Sequence, residues 1–189
     1  MHAIVRTDRL LATVNPAGLV SARYQPDGIM SEIDNGNLLM IDVLEGDGAR
    51  EVFVGLTPTS AASLCDIILV SSPEVIYDDS KRNLGDFYNK AGAIVRGYHI
   101  HDNDIFSVTQ EAFEGEDPAV GQYVELSNST RFNIVSTPTG ATLIGKIINI
   151  NTVNKIHYYV IRVSSRSAST GGVANISKIS NDMIDELFS

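Results

Sequence analysis

Two histidines two residues apart, in Gly97-Tyr98-His99-Ile100-His101, are the pair best spaced for chemistry in this chain. On a strand, residues i and i+2 face the same way, so both imidazoles could ligate one metal ion. Asp102, Asp104, Glu111 or His157 would be the candidates for a third ligand. A second spacing, Gly140-Ala141-Thr142-Leu143-Ile144-Gly145-Lys146, matches a phosphate-binding loop as far as its lysine. The next residue is Ile147, where such a loop needs a hydroxyl for magnesium, and Ile147-Ile148-Asn149-Ile150 predicts strand where a helix N-terminus should cradle the phosphate. Gly145 is therefore expected to mark a bulge or bend. Cys65 lies in the apolar run Leu64 to Val70, which predicts a buried, inert thiol, and there is no Gly-x-Ser-x-Gly elbow. Segment 101–117 holds Asp102, Asp104, Glu111, Glu114, Glu116 and Asp117 without a base, but lacks the alternating spacing of a calcium loop. It is expected to be a solvated acidic loop, able to meet basic surface on a neighbour. These readings predict no catalytic residue, no cofactor and no metal.

The elements that position these residues are mostly short strands cut by turns. Asn37 to Val43 and Glu51 to Gly55 flank a Gly-rich loop and predict a hairpin. Leu64 to Val70 predicts a buried strand, and Asp86 to Gly92 a possible short helix ended by its glycine. Ala93 to Ile100 and Ile105 to Thr109 predict a second hairpin across His101-Asp102-Asn103-Asp104. Val120 to Leu126, Arg131 to Val135, Ala141 to Ile150 and Lys155 to Val163 are rich in β-branched and aromatic residues and predict further strands. The predicted fold is mainly β: one or two small β-barrel or sandwich modules, with an extended N-terminal arm and a short C-terminal amphipathic helix. The boundaries are residues 1–28 for the arm, 29–92 for a first module, 93–165 for a barrel-like second module, and 166–189 for linker and helix. Ile176, Ile179, Met183, Ile184 and Leu187 carry the helical spacing.

Composition narrows the classes of function. The 189 residues are 43% hydrophobic, enough for a core of ordinary size. Net charge is −9, which disfavours binding driven by phosphate neutralisation, and no partner nucleic acid is expected. One cysteine excludes an intrachain disulfide, no apolar run approaches a membrane span, and Arg6, Asp8 and Arg9 interrupt any signal peptide. A soluble protein made in a cytoplasm is expected. The charge is unevenly spread: residues 1–130 hold 20 acids and 8 bases, net −12. Residues 131–181 hold no acid and six bases, Arg131, Lys146, Lys155, Arg162, Arg166 and Lys178. Such a run has no internal ion pairs available, so its bases must face solvent, the acidic first part of the chain, or an acidic partner.

The linear pattern also carries a resemblance. Ile33-Asp34-Asn35-Gly36-Asn37-Leu38, Val70-Ser71-Ser72-Pro73-Glu74-Val75-Ile76-Tyr77-Asp78, Asp86-Phe87-Tyr88-Asn89-Lys90-Ala91-Gly92, Arg96-Gly97-Tyr98 and Asn103 to Thr109 lie in this order, followed by Val120 to Leu126 and Tyr158 to Val163. Together, over roughly residues 30 to 165, they resemble the small structural proteins of tailed bacteriophages encoded beside the major capsid protein. The resemblance implies a capsid decoration or cement protein: a virion component on the capsid exterior, made in the bacterial host cytoplasm, bound to the major capsid protein, and a homo-oligomer with a trimer favoured. On this reading the candidate contacts with capsid or sister subunits are Arg6 and Arg9 in the arm, Arg131, Lys146, Lys155, Arg162, Arg166 and Lys178 in the basic run, and Ile179, Met183, Ile184 and Leu187 in the helix. Two alternatives stand beside it. One is a tail, baseplate or head-completion protein. The other is a metal-dependent enzyme resembling the cupin barrels in its His-x-His, which departs from them at Ile105 and Phe106, where they carry a glutamate.

Overall fold

A computed structural model describes residues 1–46, 51–76, 83–115 and 117–164. Twelve strands occur among the described residues: β1 (Val5–Arg9), β2 (Leu19–Tyr24), β3 (Leu38–Leu44), β4 (Val52–Leu56), β5 (Ile67–Val70), β6 (Val95–His99), β7 (Ile105–Val108), β8 (Phe113–Glu114), β9 (Tyr123–Glu125), β10 (Phe132–Val135), β11 (Leu143–Val153) and β12 (Ile156–Val163). They form a closed five-stranded barrel, in the order β2-β4-β3-β5-β6, and a seven-stranded sheet, in the order β1-β7-β12-β11-β9-β10-β8. The only helical pieces among the described residues are three-residue 3-10 turns.

Strand β5 shows how sequence dictates this arrangement. Ile67-Ile68-Leu69-Val70 is apolar without a break because the strand is buried on both faces. Ile68 and Val70 join Ala22, Ile33, Leu39 and Val95 inside the barrel. Ile67 and Leu69 instead enter the larger core, with Leu38 from the barrel and Phe106, Val108, Phe132, Ile144 and Ile161 from the sheet. Barrel and sheet therefore share one core along β5 and β3. Phe132 lies against Phe106 and Phe113 at ring separations of 5.8 and 5.7 Å, and Tyr159 meets Phe113 edge-on at 5.5 Å.

Most predicted strands occur where the pattern placed them, and the predicted β3–β4 hairpin pairs antiparallel. Several expectations are corrected. The predicted N-terminal arm is part of the body: β1 is the edge strand beside β7, and β2 closes the barrel between β4 and β6. Ile4, Leu10, Ala12 and Ala22 supply buried apolar surface, so these residues gain more from the core than from reaching outward. The predicted hairpin of β6 with β7 does not form. Strand β6 pairs with β2 and β5 in the barrel, while β7 lies between β1 and β12 in the sheet. The turn at 101–104 is instead the crossing from the last barrel strand, β6, to the sheet strand β7, while β1, ahead of the barrel strands in the chain, also belongs to the sheet. Residues 64–66 of the predicted strand are a 3-10 turn, and Cys65 is exposed where a buried thiol was expected. The possible helix at 86–92 is reduced to a turn over Leu84–Asp86. The linker and the predicted C-terminal helix, with Arg166, Lys178, Ile179, Met183, Ile184 and Leu187, lie outside the described residues.

Candidate functional site

The histidine pair sits at the end of β6, where the chain leaves the barrel. His99 is half-buried and His101 exposed, with His101 Nδ1 3.7 Å from the Asp104 carboxylate. Asp104 is buried and already committed: its two oxygens accept from the backbone N–H groups of Leu11 and His101, each at 2.8 Å. His157 is engaged elsewhere, bonded to Thr152 across the β11–β12 hairpin at 2.9 Å. Among the described residues no three His, Cys, Asp or Glu side chains converge as metal ligands.

Burial lowers the pKa of His99 from 6.5, helped by the neighbouring charge of His101 and opposed by the Cys65 backbone and Asp66. The folded state therefore binds this proton less readily than the unfolded chain. Stability from this group is level above pH 6.5 and falls as pH drops below that value toward the folded pKa. The variant His99→Gln is expected to flatten that decline. Urea midpoints of both proteins at about pH 7.5 and about pH 5.5 measure it, and an equal fall in the two proteins would remove His99 as a source of acid sensitivity.

The phosphate-loop lookalike is sheet. Gly145 and Lys146 belong to β11, and a register shift between Leu143 and Gly145 supplies the expected irregularity. Lys146 lies with its Nζ 5.1 Å from the centre of the Tyr123 ring.

A buried polar node joins three of the segments that carry the resemblance. Asn35 donates to the carbonyl of Ser72 at 2.9 Å, and its own oxygen accepts from the Ser72 N–H at 2.9 Å and from the Asn89 amide at 3.1 Å. Asn89 also donates to the carbonyl of Ile33 at 3.1 Å, beside an isolated bridge between the same two residues. A second buried group, Glu125, was missed at the sequence level. Its carboxylate accepts from the Thr139 N–H at 2.8 Å and the Thr139 hydroxyl at 2.6 Å, and so pins the loop before β11. The available signal was a lone carboxylate between Val124 and Leu126. Beside that loop lies an open depression of about 470 Å³ lined by Ser60, Asn128, Asn133 and Thr139 among others.

Two bases of the predicted basic run, Lys146 and Arg162, stand side by side on the sheet. Register links Arg9 to Ile105, Ile105 to Arg162, Arg162 to Lys146, and Lys146 to Tyr123, so these side chains form one row across β1, β7, β12, β11 and β9. Arg6 joins them from β1, 5.2 Å from the centre of the Tyr158 ring and 3.8 Å from Asp8. Arg9, Arg131, Lys155 and Arg162 are exposed and Lys146 is half-buried. Among the described residues none of these five has a carboxylate within 4.0 Å. Lys155 stands apart, at the tip of the hairpin, where Asn154 and Lys155 both take positive φ. The exposed outer half of that hairpin, residues 151–155, reaches beyond the shared core.

No helix among the described residues is long and apolar enough to cross a membrane. Compared with protein-family models, with curated proteins and with solved structures, the chain matches none.

Proposed function

We propose that this chain is a structural protein of a tailed-phage particle, a decoration or cement protein that binds the outer surface of the head and stabilises its lattice. The observation that carries the reading is the polar node. Asn35, Ser72 and Asn89 come from three separate segments of the resemblance, and Asn35 bonds both of the others, 37 residues away in one pair and 54 in the other. The pattern is therefore one of mutual support within a frame, as a structural protein requires.

The body suits such a role. Two sheets on one core form a stiff unit, and charged faces repeated around a symmetric lattice add many weak contacts into firm attachment. The basic row and the hairpin tip at Lys155 are the surfaces offered to the major capsid protein and to sister subunits. The C-terminal segment, with Arg166, Lys178, Ile179, Met183, Ile184 and Leu187, is the remaining candidate tether now that residues 1–28 are folded into the body. A homo-oligomer, with a trimer favoured, belongs to the same proposal.

Dissection of the particle whose genome encodes the chain tests it. Antibody label is expected on the head exterior in many copies, and stripping the protein is expected to lower the temperature at which the head releases its DNA. Label confined to the tail or baseplate would replace decoration with the tail reading, and absence from particles would overturn both.

A further inference from the structure

We propose that the chain self-associates, the basic row of one copy docking against the acidic β8 edge of a second copy. The acidic side of this contact is as well defined as the basic one. Residues 101–130 hold seven acids and no base. Of these, Asp104 and Glu125 are buried and bonded within the fold, whereas Glu111, Glu114 and Asp117 gather at the β8 end of the sheet. Glu114 and Asp117 line one cleft of about 280 Å³ with Gln122 and Ile134, and the negative charge of Asp117 and Glu111 helps raise the pKa of Tyr159, after burial. Among the described residues none of the three acids has a cation within 4.0 Å, and the Glu111 carboxylate has one buried oxygen with no hydrogen-bond partner.

One sheet thus presents bases from β1 to β11 and acids at its opposite edge, β8, and among the described residues Arg9, Lys146 and Arg162 on one side and Glu111, Glu114 and Asp117 on the other have no ion-pair partner within 4.0 Å. A nucleic acid or another polyanion would meet the row but be repelled by the acids a few strands away. A partner that satisfies both ends must carry both charges, and a copy of this chain carries them already, at the two ends of one sheet. Two copies related by a twofold axis make this contact twice, basic row on acidic edge and the reverse, and copies set head to tail make it once per pair and close into a ring where the rotation allows. Among the described residues β1 and β8 are the two end strands of the sheet, so charge also decides which strand comes beside which. The inference concerns the isolated chain and does not rest on capsid decoration.

Sedimentation velocity of the full chain across a concentration series tests it. The wild-type chain is expected to self-associate at low ionic strength and to dissociate in about 1 M salt, where charges are screened beyond about 3 Å. The double variants Lys146→Glu with Arg162→Glu, and Glu114→Arg with Asp117→Arg, are each expected to weaken association by about tenfold or more. Combining all four substitutions in one chain exchanges the signs of both patches and is expected to restore association. Unchanged urea midpoints show that each variant folds, and neutral replacements, Lys146→Gln with Arg162→Gln, take the place of a reversal that does not. A wild-type chain that stays monomeric, variants that associate as the wild type does, or a combined variant that remains dissociated would each overturn the contact. Retention on a heparin column without self-association would overturn it too, and assign the row to a polyanion.

Discussion

Removal of residues 1–28 is expected to destroy the cooperative fold of the whole body. The segment contributes β1 to the sheet and β2 to the barrel, and β2 makes the barrel closed by pairing parallel with β4 and antiparallel with β6. Without it, β4 and β6 each lose a ladder, and Leu39, Ile68 and Val95 lose Ala22 from the barrel interior. Ile4, Val5 and Leu10 are buried in or beside the shared core, each worth about 2 kcal/mol on burial. Against a total stability of about 5–15 kcal/mol, these losses together leave no folded state to populate. Urea titration followed by circular dichroism checks it. The truncated chain should show no sigmoidal transition, and a transition at the wild-type midpoint would return these residues to the status of a dispensable arm.

The second large effect is expected at Gly145. A Cβ placed there would lie 2.2 Å from the carbonyl oxygen of Arg162, 2.9 Å from its carbon and 3.0 Å from the Cα of Val163. All three atoms belong to the β12 backbone, so relief requires parting the β11–β12 ladder rather than turning a side chain. Gly145→Ala is expected to destabilise the protein by about 3 kcal/mol. That loss lowers the urea midpoint at constant m-value and reduces Tm by about 6–12 °C. Gly121→Ala is the control. Gly121 has a φ of +96° but nothing within 4 Å of its added Cβ, so only backbone strain of about 1 kcal/mol is at stake. Equal losses at both positions would reject the steric account.

Much of the secondary structure was legible locally. Alternation and β-branched residues marked β3, β4 and β7 and the four strands from β9 to β12, and the continuous apolar run of β5 announced burial on both faces. The irregularity at Gly145 was legible too, because a glycine inside a strand pattern has few other uses. Residues 1–28 were not. Their strands are interrupted by turns at Leu11–Thr13 and Pro16–Gly18, so no sustained period appears, and β1 and β2 pair with β7, β4 and β6, all outside the segment. Cys65 was misplaced for the opposite reason. Its neighbours are apolar, but a 3-10 turn ahead of β5 swings it to the surface.

The candidate site divides the same way. That the bases of residues 131–181 must face solvent, the acidic first part of the chain, or an acidic partner follows from charge counting alone, since no acid lies within the run. That Arg9, from the far end of the chain, stands in the same row as Arg162 and Lys146 depends on β7 separating β1 from β12. The amino-acid sequence by itself determined which segments extend, which of their faces are apolar, and how charge is distributed along the chain, because these depend on neighbours a few residues away. Only the tertiary structure decided which strands pair, that β6 and β7 part into a barrel and a sheet, and which charges stand side by side. Strand pairing joins residues about a hundred positions apart, such as Val5 with Val108, and any apolar face can be covered by several others. The choice among them is made by the packing of the whole core, which no local window contains.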